Sequence, residues 1–124
     1  MLAERVRLNI VNRKMLSNAE AYLYLKKVLE ESERRGTSPF LLIRTVEYLK
    51  KYSGVKPEFV EEVRRFLESK NLKPETIVML LNNCPQSVEE LLPLLELEPR
   101  FPSDQELNEI VEVLKKNCVD VLSE

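Results

Sequence analysis

Hydrophobic and polar positions alternate near the start of the chain, and this alternation predicts a short β-strand. Val6, Leu8 and Ile10 fall on one face of an extended segment, with charged or polar residues between them. The sequence shows no second segment of this period, so the backbone groups of the strand need a partner from another chain. We therefore expect a constitutive heteromeric partner or a homodimer joined through this arm; the alternative is an unstructured N-terminal arm.

From Ser17 onward the apolar residues recur at helical spacing, which predicts about six helices. Ser-x-x-Glu capping boxes begin at Ser17, Ser87 and Ser103 and predict three of the helix starts. Gly36 is expected to end the first helix. The positions expected to face the core are Ala21, Leu25, Val28 and Leu29; Leu42, Ile43, Val46 and Leu49; Phe59, Val60, Val63, Phe66 and Leu67; Ile77, Val78, Leu80 and Leu81; and Leu107, Ile110, Val111 and Leu114.

Prolines mark the other helix boundaries. Pro39, Pro57 and Pro74 stand where a helix can begin, because the first turn does not need the N–H that proline lacks. Ser38 is expected to cap the helix that starts at Pro39. Pro93 lies past the first turn of its helix, so it removes a helical hydrogen bond and should shorten or kink that helix.

Composition narrows the classes of fold and function. A chain of 124 residues that is 44% hydrophobic and 32% charged fits one mainly helical domain with an N-terminal arm. The absence of histidine excludes imidazole catalysis and the usual zinc and copper ligand sets, and two glycines cannot build a glycine-rich phosphate loop. Neighbouring carboxylates such as Glu61 and Glu62 point apart on a helix. We therefore expect no catalytic residue, no metal site and no cofactor.

The net charge of -2 conceals an uneven distribution along the chain. Residues 1–14 carry +3, residues 15–85 carry +2 and residues 86–124 carry -7. This balance disfavours autonomous binding of nucleic acid, which normally requires a basic chain. Adjacent basic pairs, Arg64 and Arg65 among them, are expected to lie on solvated helix faces. A secondary RNA contact through Arg34, Arg35 or Lys50 is the alternative.

Two cysteines and the absence of a targeting pattern indicate the cellular compartment. Cys84 and Cys118 have neither CxxC spacing nor histidine neighbours, so two free, partly buried thiols in a reducing cytoplasm are expected, with a bond between them as the alternative. The N-terminal segment has charges inside its apolar stretch, unlike a signal peptide, and no apolar run approaches the length of a membrane span. We expect a cytoplasmic protein without a membrane partner or a small-molecule substrate.

Four motifs in sequence order carry a resemblance to a known family. They are LSNAE at 16–20, RTVEYL at 44–49, LNNCPQSVEEL at 81–91 and LNEIVEVL at 107–114. Their order and spacing resemble the smaller stalk protein of archaeal RNA polymerase, the counterpart of the fourth-largest subunit of eukaryotic RNA polymerase II. The equivalent subunit of RNA polymerase III is a less similar relative. Pro93 departs from the pattern, because a basic residue is common there.

The resemblance implies a mainly α fold: an N-terminal β-strand arm that pairs with a partner chain, then an HRDC-like bundle of about six helices. It implies docking through the strand and first helix, residues 1–36, and an HRDC-like helical domain over 37–124. The implied partner is the other protein of the RNA polymerase stalk, called the stalk partner below, and through it the polymerase core. The two form a non-catalytic heterodimer that binds emerging RNA and supports initiation, elongation and termination. The implied partner contacts are Arg5, Val6, Arg7, Leu8, Ile10, Val11, Leu16, Leu23 and Tyr24.

Two other functions remain as alternatives. A stand-alone HRDC-like module that binds nucleic acid or protein would bind single strands with a steep salt dependence, but the acidic C-terminal third argues against it. An enzyme would need a nucleophile–base pair or a ligand cluster, and the sequence offers neither. Deleting residues 1–14 separates the first two hypotheses, because only the stalk protein would lose its partner.

Overall fold

The computed structural model describes residues 14–119, so the predicted strand arm lies outside the described residues. Within this range the chain is mainly helical, as predicted, with six α-helices. Two short 3₁₀ helices, Pro57–Phe59 and Leu92–Leu95, precede α3 and follow α5. The α-helices are α1 Asn18–Arg34, α2 Phe40–Lys51, α3 Val60–Glu68, α4 Pro74–Asn83, α5 Val88–Leu91 and α6 Asp104–Asn117.

Serine caps start three of the helices. Ser17 and Ser103 form complete capping boxes, in which the serine hydroxyl accepts from the third backbone N–H and a glutamate accepts from the serine N–H. Ser87 accepts from the N–H of Glu90, but the Glu90 carboxylate accepts instead from the N–H of Gln86, so the third predicted box closes only halfway. The predicted cap at Ser38 is wrong: Pro39 occupies the cap position, and no side chain caps α2.

The main core lies between α3, α4, α6 and the short α5. Predicted core positions supply most of it, and Pro93 shortens α5 to four residues followed by a 3₁₀ turn, as expected from its missing N–H. Phe59 was expected to face this core but is 40% exposed, because Pro57–Phe59 turns as a 3₁₀ helix and moves it off the α3 stripe. The buried side chains include Val60, Val63, Leu67, Ile77, Leu80, Leu81, Leu91, Leu95, Leu107, Ile110 and Leu114.

Helices α1 and α2 pack against each other as a hairpin with a small apolar cluster of its own. Tyr22 of α1 and Val46 and Leu49 of α2 are its buried members, and Ala21, Leu25, Leu29 and Leu42 pack against them. Ala19, at the start of α1, belongs to the main core instead. Val28 was expected to face the core but is 38% exposed.

The chain returns at its end to the segment before α3. Val55 forms an isolated antiparallel bridge with Cys118, in which the N–H of Val119 donates to the carbonyl of Gly54 at 2.7 Å. Beside this bridge, Cys118 is joined to Cys84 by a disulfide, with 6.2 Å between the Cα atoms. The expectation of two free thiols is therefore wrong. The two cysteines lie 34 positions apart in the sequence, but each directly follows a helix, and the C-terminal ends of these two helices meet.

Candidate partner-docking face

Helix α1 carries apolar residues that remain partly exposed. Together with the two residues that lead into the helix they form what we call the docking face: Met15, Leu16, Leu23, Tyr24 and Val28. Their exposed fractions are 49%, 44%, 37%, 65% and 38%. Single exposed apolar residues are ordinary, whereas five within one short stretch of chain are typical of an interaction surface. Helix α2 packs on one side of α1, and the Pro57–Phe59 turn, α3 and α4 contact α1 elsewhere, but each of these five side chains keeps more than a third of its surface exposed.

An ion pair buried at the base of the docking face joins α1 to α3. The guanidinium of Arg64 donates from Nε to Glu20 Oε2 at 2.5 Å and from Nη2 to Glu20 Oε1 at 2.8 Å. Nη2 also donates to the Met15 carbonyl at 2.8 Å, and Glu68 lies 3.6 Å from Nη1. The Arg64 side chain is 7% exposed, so the expectation that it lies on a solvated helix face is wrong.

The electrostatics of this pair favour the charged form of both partners. Burial alone would raise the pKa of Glu20, but hydrogen bonds from Arg64 and from the Ser17 backbone N–H outweigh it and hold that pKa below its usual range. The hydrogen bonds to Glu20 raise the pKa of Arg64, against the opposing effect of burial. Glu20 therefore closes the capping box of α1 and neutralises Arg64 with one carboxylate.

The outer side of α2 carries a different surface, with aromatic rings beside cations. The guanidinium of Arg44 lies 5.5 Å from the ring centre of Phe40, and the ammonium of Lys51 lies 5.6 Å from that of Tyr52. The rings of Tyr48 and Tyr52 are 4.7 Å apart. We call this set, with the 78% exposed Leu41, the aromatic–basic face. It lies on the side of α2 that faces away from the apolar cluster between α1 and α2.

The residues predicted to contact RNA are exposed but do not form one patch. Arg34 and Arg35 both pair with the carboxylate of Glu31, at 2.7 and 3.3 Å, and their side chains are about three-quarters exposed. Lys50 is exposed on α2, beside Lys51 of the aromatic–basic face. Only Lys50 therefore adjoins a surface on which bases could stack.

A polar cleft of about 720 Å³ lies where α2, α4 and α6 end. Lysines, amides and the Cys84–Cys118 disulfide line it, and its one carboxylate is that of Glu90, so the lining contains no nucleophile paired with a base. Across residues 14–119 no group of three acidic, cysteine or histidine side chains is arranged to hold a metal ion. In the same range no helix is both long enough and apolar enough to cross a bilayer.

Comparison with known families identifies the chain. The family described as RNA polymerase Rpb4 matches residues 15–118. The chain belongs to the RNA polymerase Rpb4 family. Family membership confirms the resemblance noted in the sequence and makes the chain an RNA polymerase subunit, with a role in transcription.

Two relatives, one from an archaeon and one from a plant, match most of this chain. The DNA-directed RNA polymerase subunit Rpo4 of Sulfolobus acidocaldarius is 27% identical over 96 residues, which cover 77% of this chain and 84% of the relative. The DNA-directed RNA polymerase II subunit 4 of Arabidopsis thaliana is 27% identical over 107 residues, which cover 79% of this chain and 78% of the relative. The Rpb4 match begins at Met15, so it contains the whole docking face and Arg64.

Leu16, Leu23 and Tyr24 were predicted partner contacts. All three are partly exposed, Leu16 just before α1 and the other two on it, and their contact with a partner stays a prediction. The other predicted contacts, Arg5 to Val11, lie outside the described residues. Sequence reasoning missed Met15, Val28 and Arg64. A signal for Arg64 was present, since position 64 falls between the buried positions 60 and 67 on one helical stripe.

Proposed function

We propose that this chain is a non-catalytic stalk protein of a DNA-directed RNA polymerase that docks on the stalk partner as a heterodimer. Through that partner it joins the polymerase core, and the pair contacts emerging RNA during initiation, elongation and termination. Catalysis would belong to other chains of the polymerase. The single observation that carries the proposal is the uncovered docking face on α1.

The position of the docking face supports a partner rather than solvent. Covering its five partly exposed apolar side chains is favourable, because each Å² of apolar surface removed from water contributes about 25 cal/mol. In the sequence, the predicted contacts Arg5, Val6, Arg7, Leu8, Ile10 and Val11 come shortly before Met15, the first residue of the docking face. The proposed partner therefore binds two neighbouring stretches of the chain, the predicted strand and the docking face. The division into a docking unit over 1–36 and an HRDC-like unit over 37–124 is part of the same proposal.

Co-expression with the stalk partner tests the docking. The full chain should elute with it in one peak of heterodimer mass on size exclusion with light scattering. The L23K/Y24K double variant should fold normally and lose the complex, because two charges in an apolar contact cannot be solvated. Phe101→Lys is the matched control: Phe101 is 60% exposed but lies between α5 and α6, so this variant should keep the complex.

The contact with RNA is the second part of the proposal. The aromatic–basic face combines rings, which can stack on bases, with cations, which can approach phosphates. Lys50 adjoins it, whereas Arg34 and Arg35 are partly neutralised by Glu31. This face lies on α2, whereas the docking face lies on and just before α1, so a partner can cover one without covering the other.

The affinity of the complex for single-stranded RNA tests that contact. Replacing Tyr48 and Tyr52 by alanine should weaken binding about tenfold, since base stacking is worth roughly 1–3 kcal/mol per base. Arg34→Gln is expected to weaken RNA binding less than the replacement of the two tyrosines does. An isolated chain that binds RNA tightly without its partner, with a steep salt dependence, would favour the alternative function of a stand-alone nucleic-acid-binding module.

A further inference from the structure

A buried arginine needs a reason, because the charge is costly to remove from water. Arg64 occupies the middle of the apolar side of α3, flanked there by Val60, Val63 and Leu67, which are all buried. An apolar residue at position 64 would continue the stripe and pack against the core. What Arg64 adds is a set of directed hydrogen bonds that an apolar residue cannot make.

These hydrogen bonds hold the backbone on both sides of Leu16. Before it, the Met15 carbonyl accepts from Arg64 Nη2 at 2.8 Å. After it, the Ser17 N–H donates to Glu20 Oε1 at 2.9 Å, the same oxygen that Arg64 binds. One residue further, the Asn18 N–H donates to Oδ1 of Asn82 on α4 at 2.7 Å.

The side chains follow from this fixed backbone. Ser17 is completely buried, while its neighbours Met15 and Leu16 are about half exposed. The backbone polar groups of residues 15 and 17 are turned inward to the ion pair, and the two apolar side chains face outward. Hydrogen bonds within the chain thus fix this segment, although its apolar side chains have no core to pack against.

We propose that Arg64 is a positioning residue for partner binding: through Glu20 and the Met15 carbonyl it presents Met15 and Leu16 in their bound geometry. Arg64 itself does not touch the partner. The inference rests on the proposed function, because it names the residue that preorganises the docking face. Preorganisation raises affinity by removing the ordering cost at the moment of binding.

The test separates positioning from stability. Arg64→Lys keeps a positive charge beside Glu20, but a single ammonium on a flexible stem cannot reproduce the planar fork that reaches both Glu20 oxygens and the Met15 carbonyl. A second variant, R64M/E20Q, removes both charges, continues the apolar stripe and retains a capping residue at position 20. It leaves no unpaired buried charge, so it should fold even if Arg64→Lys does not. Ile110→Val in α6 is the control, a mild destabilisation in the main core away from the docking face.

Affinity for the stalk partner is measured by titration calorimetry under conditions where urea unfolding shows every variant to be folded. Both Arg64 variants are expected to bind about tenfold more weakly than the wild type, while Ile110→Val binds as the wild type does. The proposal is overturned if both Arg64 variants retain wild-type affinity, or if Ile110→Val loses as much affinity as they do. If the wild-type chain itself does not bind the stalk partner, the proposed function fails as well. If the wild type binds and both Arg64 variants bind equally well, only the positioning role of Arg64 fails.

Discussion

Gly54 lies directly against the carbonyl oxygen of Leu81 at the end of α4. A Cβ atom at position 54 would come within 2.2 Å of that oxygen and within 2.3 Å of the carbonyl oxygen of Asn82. Gly54 also has a φ of +74°, which side-chain-bearing residues rarely adopt. The approach allows the N–H of Val55 to donate to the Leu81 carbonyl at 3.0 Å, which ties the segment before α3 to the end of α4.

Gly54→Ala should therefore be among the most destabilising single substitutions in the chain. The methyl group collides with backbone atoms that cannot rotate away, in addition to the strain of the positive φ. We expect a loss of about 3 kcal/mol or more in the free energy of unfolding, measured by urea denaturation.

Gly36→Ala is the matched control for this substitution. Gly36 also has a positive φ, +83°, but no atom lies within 4 Å of the position that its Cβ would take. Only the conformational strain remains, so a loss of about 1 kcal/mol is expected. Equal losses at the two positions would show that the close approach of Gly54 to Leu81 does not contribute.

Breaking the Cys84–Cys118 disulfide should also lower stability. The bond closes a loop that contains α5 and α6, with a sequence separation of 34 between the two cysteines, and chain-entropy arguments give about 3–4 kcal/mol for a loop of this size. Reductant should lower the urea midpoint of the wild type, whereas the Cys118→Ser variant should be less stable at the outset and insensitive to reductant. A wild-type midpoint that does not respond to reductant would contradict the prediction.

The helices could be predicted from the sequence because their signals are local. The capping boxes at Ser17 and Ser103 act over four residues, and the core side of α6 depends only on the spacing of its own apolar residues. The predicted stripe on α6 is buried at every position, from Leu107 to Leu114.

The features that the sequence did not reveal depend on distant partners. Arg64 is buried because Glu20, 44 positions earlier, supplies its counter-charge, and Cys118 is bonded because the ends of α4 and α6 meet. Val28 fits an apolar stripe by spacing and shares a side of α1 with Ala21 and Leu25, which pack against α2, yet it stays 38% exposed. Local period predicts that a helix has an apolar side, but not how much of that side the rest of the chain will cover.

Acid should destabilise the protein partly through the cap of α6. Hydrogen bonds from the Ser103 backbone N–H and from Arg100 lower the pKa of Glu106 from the usual 4.5 to about 2. Because the folded state holds the proton less tightly than the unfolded chain, the contribution of Glu106 is complete above pH 4.5 and is lost as the pH falls towards about 2.

Thermal unfolding between pH 6 and about pH 2 measures this contribution. Glu106→Gln keeps a residue that can close the capping box but cannot titrate, so its melting temperature should fall less than that of the wild type over the acid range. Glu112→Gln, an exposed position on the same helix, controls for the change in net charge. Parallel curves for the wild type and Glu106→Gln would contradict the assignment.

The α1–α2 hairpin should tolerate the loss of an apolar contact better than the main core does. Leu49 is 9% exposed in the small cluster between two helices, whereas Leu80 is completely buried among α3, α4 and α6. We expect Leu49→Ala to cost about 2 kcal/mol and Leu80→Ala about 4 kcal/mol, because a two-helix layer can close around the vacancy or admit water. Urea denaturation measures both.

In Leu49→Ala, amide exchange in α1 beyond Tyr24 should quicken, and binding of a partner to the docking face should slow it again, because the partner supplies the contacts that the hairpin lacks. Equal costs at the two leucines would mean that the hairpin is as rigid as the core and needs no such support.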